Sequence, residues 1–241
     1  MEIRGARILV AGATGDIGAA LAERLAGLGA VTALAGRDAG KLAQVRERCG
    51  PGPSRTFDAW DLDGAEGIAA WAARELGGLD AVVVCVGVAA FGPVGEIGEA
   101  VAEHLMAVNA LAPMAILRSA STHVVSGGLL AAVTGTVARS APAGMADYAA
   151  AKSALATWLT AARRELRRAG VGVLEVCLPH VESGFAGRAV TGTVPPLPRG
   201  ITVARAVDAV VEGMRAGARF VGPGPGEGIE AVPAASERGV P

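Results

Sequence analysis

Short Val-rich apolar runs alternate along the chain with longer Ala-, Leu- and Arg-rich segments in which apolar residues recur at helical spacing. The short runs predict strands at residues 7–11, 31–35, 54–57, 81–86, 128–134 and 172–177. The longer segments predict helices at residues 17–28, 39–49, 65–76, 94–119, 147–169 and 202–216. Because the strands are apolar on both faces, they are expected in a parallel sheet covered by helices on both sides. The pattern therefore predicts a doubly wound, three-layer α/β/α domain.

The alternation ends near residue 221, and the composition changes there. Nine of the last 20 residues, from Gly222 onward, are Gly or Pro, and such a composition is poorly suited to forming a core. The whole chain of 241 residues has the length of one domain. We therefore expect a single domain over residues 1–221 and a mostly disordered tail over residues 222–241, with a short docked strand at residues 219–221 as the alternative.

Composition and charge exclude several classes of protein. The formal net charge is −1 and the basic residues are spread along the chain, which argues against nucleic-acid and membrane-surface partners. Cys49, Cys85 and Cys177 are far apart and the three histidines share no ligand spacing, so we expect neither disulfides nor a metal site. The sequence shows no signal peptide and no apolar run of about 18 to 20 residues. A soluble cytoplasmic domain without a transmembrane segment is predicted.

A glycine-rich stretch joins the first predicted strand to the first predicted helix. It contains Gly12, Thr14, Gly15, Asp16, Ile17 and Gly18. Glycines at such a corner let the backbone turn tightly and approach a pyrophosphate, which the free amides of the helix N-terminus stabilise. The stretch predicts the dinucleotide site of a Rossmann-type domain, although a plain strand-to-helix turn would also use these glycines. The carboxylate of Asp16 is expected to point to solvent.

The end of the second strand bears on the choice of cofactor. An acidic side chain there binds the ribose hydroxyls of NAD, whereas an arginine accommodates the 2′-phosphate of NADP. Gly36 leaves room and Arg37 supplies charge, so we predict NADP, with NAD less favoured; a solvated turn arginine is the alternative. Asp58 and the adjacent Ala59 are predicted at the adenine, unless Asp58 is a plain turn residue.

Tyr148 is the single tyrosine of the chain, and Lys152, one of two lysines, follows it by four residues. This spacing places both side chains on one helix face, about 5 to 6 Å apart at Cβ. An adjacent ammonium favours the phenolate and lowers the tyrosine pKa, which makes Tyr148 a usable general acid and base. The same pattern also occurs in helices that merely expose a Tyr and a Lys.

The chain resembles the short-chain dehydrogenase/reductase family over residues 7 to about 221. The family's glycine pattern appears as Ala11, Gly12, Gly15 and Gly18, with Asp16 where its middle glycine is expected. Further matches to its motifs are Asp58, Gly87, Asn109, Tyr148, Lys152, Pro179 and Ser183. The resemblance implies a Rossmann-type fold, a nicotinamide cofactor and association into a homodimer or homotetramer.

The resemblance also implies a mechanism. Hydride would pass between the nicotinamide and a carbonyl carbon while Tyr148 exchanges a proton with the oxygen. Lys152 would hold the nicotinamide ribose and lower the pKa of Tyr148. Asn109 would hold a kink in its helix and a water in the proton relay, and Ser183 would contact the nicotinamide carboxamide.

Two departures from the family pattern affect this expectation. The family's N-N-A-G motif reads Val84, Cys85, Val86 and Gly87. Its catalytic serine lies 13 residues before the tyrosine, and Gly135 stands there, between Thr134 and Thr136. Either threonine could orient the substrate carbonyl if the following loop shifts by one residue, and both could equally be ordinary strand residues.

The residues and the family resemblance together predict an NADP(H)-dependent oxidoreductase acting on a small apolar ketone, aldehyde or alcohol. Residues 182–200 would form the lid over the substrate. Two alternatives remain. One is a catalytically impaired cofactor-binding scaffold or sensor, which the missing serine motivates. The other is a non-redox member of the same fold, such as an epimerase or dehydratase.

Overall fold

Strands of the computed structural model, which describes residues 1–224 and 228–233, follow the predicted alternation with helices. In chain order they are β1 (Arg7–Ala11), β2 (Val31–Gly36), β3 (Ser54–Thr56), β4 (Leu79–Val84), β5 (Val124–Val133), β6 (Gly172–Val176), β7 (Val181–Glu182), β8 (Ile201–Thr202), β9 (Ala218–Pro223) and β10 (Ile229–Pro233). The helices are α1 (Asp16–Gly27), α2 (Ala39–Cys49), α3 (Leu62–Leu76), α4 (Glu99–Met106), α5 (Ala112–Ala120), α6 (Val137–Ser140), α7 (Ala146–Leu166) and α8 (Val203–Arg215).

The central sheet of the described residues has eight strands in the order β10-β9-β6-β5-β4-β1-β2-β3. All neighbours are parallel except β9 and β10. The chain runs outward from β1 through β2 to β3 and then returns to β4 on the other side of β1. This reversal is a topological switch point, where doubly wound sheets bind their ligands beyond the carboxyl ends of the strands.

Helices cover both faces of the sheet, because the strands are apolar on both sides. One core cluster contains Leu21 and Leu25 of α1 and Val210 of α8. The opposite cluster contains Ile68 of α3 and Leu155 of α7. The structure is the predicted three-layer α/β/α arrangement.

Two helix starts differ from the predicted ones by more than one residue. Residues 94–98 are not helical, since Gly98 is the N-cap of α4 and Glu96 N donates to Pro93 O in a turn before it. The helix α3 begins earlier than predicted, at Leu62, because Asp61 caps it by accepting a hydrogen bond from Gly64 N. Local capping therefore moved both boundaries.

The described part of the predicted tail forms structure. In β9, Val221 is fully buried, and β10 pairs with β9 in antiparallel register. Ile229 and Ala231 pack against the core beneath α8. The structure thus differs from the predicted disorder at residues 222–224 and 228–233, because two apolar side chains at alternate positions suffice to dock the last strand. Residues 225–227 and 234–241 lie outside the described residues.

The helical run Glu99–Ala120 joins α4 and α5 through a π-helical turn at Ala107–Leu111. Its 22 residues are long and apolar enough to cross a membrane by length and composition, contrary to the expectation that no run approaches that length. Of its most apolar window 56% is buried inside the domain, against α3 and α7 among others. Packing within the domain accounts for the apolar character of the buried part of this helical run.

Candidate active site

A cavity of about 550 Å³ opens at the carboxyl ends of the central strands and extends from the glycine-rich turn to α7. Its size is in the range of small-molecule sites. The predicted site residues that line it are Gly12, Thr14, Gly15, Asp16, Ile17, Gly18, Arg37, Asp58, Ala59, Gly87, Thr134, Thr136, Tyr148, Lys152, Pro179 and Ser183. Asn109 lies behind the wall rather than in it.

The glycine-rich turn between β1 and α1 needs its glycines for two separate reasons. Gly12 has a φ of +89°, and a Cβ there would lie 2.8 Å from the Cys85 carbonyl carbon. A Cβ on Gly18 would lie within 2.2 Å of Gly12 O. The turn therefore packs backbone against backbone, and the N-terminus of α1 faces the cavity at the place where a pyrophosphate would be held.

The far end of the cavity combines two cations. Arg37 and Lys41 both line it, and neither has an ion-pair partner among residues 1–224 and 228–233. Asp38 is occupied as the N-cap of α2, accepting a hydrogen bond from Lys41 N at 3.0 Å. Lys41 was missed from the sequence, where only its rarity marked it.

Two observations at this end bear on the predictions made from the sequence. The first corrects the role given to Gly36, and the second leaves both interpretations of Asp58 open. The space beside Gly36 is filled by Thr14, whose Cγ2 would lie 2.7 Å from a Cβ at residue 36. Gly36 is therefore required by packing and does not simply leave room. Asp58 Oδ1 accepts a hydrogen bond from Trp60 N at 3.0 Å, as in an ordinary aspartate turn, while the residue still lines the cavity.

Tyr148 and Lys152 project from the first turns of α7. Lys152 is 3% exposed, and its Nζ donates to Val133 O at 3.1 Å and to Val86 O at 3.4 Å. Burial lowers the pKa of Lys152 to about 8, partly offset by the neighbouring Cys85 thiol. Burial also raises the pKa of Tyr148 well above its ordinary range. The predicted lowering of the Tyr148 pKa is therefore wrong for this geometry, because burial of the phenol raises it.

Asn109 is fully buried in the π-helical turn. Its Nδ2 donates to Leu105 O at 3.0 Å and to Val88 O at 2.9 Å, and its Oδ1 accepts from Val88 N at 3.1 Å. The side chain thus satisfies the Leu105 carbonyl of the preceding turn and, through Val88, anchors the cavity wall next to Gly87. This geometry agrees with a role in holding an irregular helix.

The two threonines after β5 differ in what their hydroxyls do. Thr134 is 1% exposed, and its hydroxyl donates to Glu175 Oε1 at 2.9 Å. Arg139 donates to both oxygens of the same carboxylate, at 2.9 and 3.1 Å. The Thr134 hydroxyl is therefore bound to the buried carboxylate of an ion pair whose arginine is half exposed, and the expectation that it orients a substrate is not supported by this geometry.

Thr136 has a different environment. Its backbone amide donates to Leu178 O at 2.8 Å, while its hydroxyl has no hydrogen-bond partner in the part of the chain that the structure describes. The intervening Gly135 has a φ of +96°, in the left-handed region. This turn gives Thr136 a free hydroxyl on the cavity wall and makes it the better of the two candidates.

An apolar cluster that was missed from the sequence forms the other end of the cavity. Phe91 and Met145 pack there with Phe185 of the lid segment, residues 182–200. The Phe185 ring centroid lies 6.3 Å from that of Tyr148. Only 3% of the chain is aromatic, so the rarity of Phe91 and Phe185 is the one signal in the sequence that could have drawn attention to them.

The lid segment leaves and re-enters the domain through the parallel pair β7 and β8. Val190 N donates to Ala89 O at 2.8 Å and Phe91 N donates to Thr191 O at 3.1 Å, which fixes the segment over the apolar end. Ser183 Oγ accepts a weak hydrogen bond from Phe185 N at 3.4 Å. Asp16 is exposed as predicted, but it bonds to the lid and does not simply face solvent.

A doubly wound sheet with a glycine-lined cavity at its switch point defines a dinucleotide-binding α/β protein. The profile described as short chain dehydrogenase matches residues 6–192. The chain belongs to the short-chain dehydrogenase family, whose members are oxidoreductases with a nicotinamide cofactor.

Among its relatives is a protein named granaticin polyketide synthase putative ketoacyl reductase 1, from Streptomyces violaceoruber. It is 31% identical over 191 residues, which cover 75% of this chain and 69% of the relative. Two solved structures share the fold at 24% identity. A short-chain dehydrogenase/reductase from Serratia marcescens has a TM-score of 0.80 and covers 90% of this chain and 94% of its own. A short chain dehydrogenase from Burkholderia cenocepacia, in complex with NADP, has a TM-score of 0.77 and covers 88% and 91%.

Proposed function

We propose that the protein is an NADP(H)-dependent oxidoreductase that interconverts a small apolar carbonyl compound and its alcohol. The observation that carries the proposal is the position of Tyr148, which shares one cavity with the glycine-rich turn and with Lys152. When bound, NADPH supplies the hydride. The residues of the chain bind and orient both reactants and move the proton.

Tyr148 is the proton donor of the proposed reduction. Burial raises its pKa, so the phenol carries its proton at neutral pH and can transfer it to the carbonyl oxygen as hydride reaches the carbon. The phenolate that remains lies one helical turn from the Lys152 ammonium, whose charge favours it. The free hydroxyl of Thr136 donates a second hydrogen bond to the same oxygen.

Lys152 and Asn109 have positioning roles in this mechanism. The Lys152 ammonium is held at the carboxyl ends of β4 and β5, where it would hold the ribose hydroxyls of the nicotinamide half. A Cβ on Gly87 would lie 3.2 Å from Lys152 Nζ and 3.0 Å from Asn109 Oδ1, so any side chain here would press on both groups. Asn109 keeps this wall in place through Val88.

Two cations favour NADP over NAD. Arg37 and Lys41 flank the end of the cavity beyond β2, and the nearby Asp38 is occupied by helix capping. Two cations without ion-pair partners among the described residues suit the 2′-phosphate, which carries about two negative charges. The NADP complex of the Burkholderia cenocepacia protein supports the choice.

The lining of the other end favours an uncharged, apolar substrate. Phe91, Met145, Phe185 and Leu197 surround the space beside Tyr148. A carboxylate or phosphate on the substrate would lose its water there without gaining a partner. The name of the Streptomyces violaceoruber relative, a ketoacyl reductase, supports carbonyl reduction.

A homodimer or homotetramer remains part of the proposal. Leu111 is 43% exposed on the helical run Glu99–Ala120, which offers an apolar contact for a second copy. The molecular mass of the protein in solution tests whether it forms a homodimer or a homotetramer. The cytoplasmic location stays a prediction.

The function is tested by following nicotinamide absorbance with neutral ketones of increasing size. We expect oxidation of NADPH, and a kcat/KM with NADPH at least tenfold above that with NADH. The double variant R37A/K41A should lose that preference. Tight NADPH binding without turnover of any ketone would favour the scaffold or sensor, and product formation without net NADPH consumption would favour the epimerase or dehydratase.

A further inference from the structure

Asp16 joins the glycine-rich turn directly to the lid segment. Its Oδ2 accepts a hydrogen bond from Arg188 Nη2 at 2.7 Å and another from Gly184 N at 3.1 Å. A Cβ on Gly184 would lie within 2.3 Å of Arg188 Nη1, so the glycine allows the guanidinium to lie against the backbone. Asp16 and Arg188 both line the cavity. The lid is thus fastened at the place where the pyrophosphate of the cofactor would lie.

The charges of Asp16 and Arg188 affect the binding of an anionic ligand at the N-terminus of α1. Asp16 is the first residue of α1, where a carboxylate offsets the positive end of the helix dipole. That same end attracts phosphate. An unpaired Asp16 would therefore repel the pyrophosphate, and the guanidinium of Arg188 cancels its charge.

The contact contributes little to the stability of the fold. The Asp16 and Arg188 side chains are 40% and 51% exposed, and ion pairs this exposed have small effects on unfolding. We expect the contact to affect two other properties. Ligand affinity depends on the local charge at the helix N-terminus, and the order of the lid depends on this single tether.

We propose that Asp16, Arg188 and Gly184 form a clasp that holds the lid over the pyrophosphate site, and that Arg188 keeps this site attractive to anions by neutralising Asp16. The second half rests on the proposed binding of a pyrophosphate-containing cofactor. The first half concerns the protein alone.

The charge argument is tested by a double-mutant cycle on cofactor affinity. The dissociation constants of NADPH and NADH, which share the pyrophosphate, are measured calorimetrically for wild type, D16N, R188M and D16N/R188M. We expect R188M to weaken binding on the order of tenfold, and the same change to matter less than threefold in the D16N background. An equal loss in both backgrounds, or no loss in either, would overturn the neutralising role.

The clasp is tested without any cofactor, by limited digestion with trypsin. Arg188 is itself a cleavage site, and the contact with Asp16 protects the bond that follows it. Cleavage at Arg188 should be at least threefold faster in D16N than in wild type, and unchanged in D208N, which breaks the exposed Arg24–Asp208 pair at the other end of α1. Equal cleavage rates in D16N and wild type would overturn the clasp. This result does not depend on whether either cofactor binds.

Discussion

The buried ammonium of Lys152 should make the stability of the protein depend on pH in a direction that an exposed lysine would not produce. The side chain is 3% exposed, and burial lowers its pKa from the ordinary 10.5 to about 8. The unfolded chain therefore binds more protons than the folded one between these two values. Charging the buried group costs about 3 kcal/mol at pH 7, and this cost disappears as the pH rises from about 8 to 10.5.

The perturbation is Lys152→Met, which removes the titrating group and keeps most of the volume. Urea unfolding is measured for both proteins from pH 7 to 9.5. Over this interval the free energy of unfolding of the wild type should rise by roughly 2 kcal/mol relative to the variant. Lys41→Met is the matched control, because Lys41 is the only other lysine and is exposed; it should leave the pH dependence as in wild type. Parallel curves for wild type and Lys152→Met would refute the reasoning.

Three further variants test separate parts of the site. Gly18→Ala places a methyl group against the backbone of the preceding turn, and calorimetry should show cofactor affinity lowered at least tenfold. Glu175→Gln removes the buried charge that faces Arg139, and the free energy of unfolding should fall by about 1 to 3 kcal/mol. Thr136→Val should lower kcat/KM about 100-fold with little loss of stability, whereas Thr134→Val should mainly lower stability; the opposite assignment would show that Thr134 faces the substrate.

The layers of the fold could be predicted because they depend on local periodicity. The apolar runs of β1, β4 and β6 are buried on both faces, and their parallel pairing follows from the helices between them. The glycine-rich turn and the Tyr148–Lys152 spacing are equally local, so the cavity could be placed at the ends of these strands. Inspection of each segment of the sequence by itself is therefore enough to predict the layers of the fold and the position of the cavity.

The contacts that decide the roles of single groups are long-range. The hydroxyl of Thr134 is directed by Glu175, which lies 41 residues away, and Asp16 bonds to Arg188, 172 residues away. Similarly, the space at Gly36 is taken by Thr14 from a different turn. The spacing of apolar residues along the sequence does not reveal such pairs, because they form only when separate strands end at the same edge of the sheet.

The last strand shows a different limit. Composition alone predicted disorder after residue 221, since Gly and Pro dominate there. The strand β10 nevertheless docks through Ile229 and Ala231 onto the core. Whether this segment forms a strand therefore depends more on the packing of these two apolar residues than on the average composition of the segment.

The central claim is that the phenol of Tyr148 carries the proton of a carbonyl reduction. The most direct measurement compares the rate of NADPH oxidation with a neutral ketone for wild type and Tyr148→Phe, with NADPH affinity determined for both. The account predicts that kcat falls at least 100-fold while the dissociation constant of NADPH changes less than threefold. A Tyr148→Phe variant that reduces the ketone at the wild-type rate would contradict it.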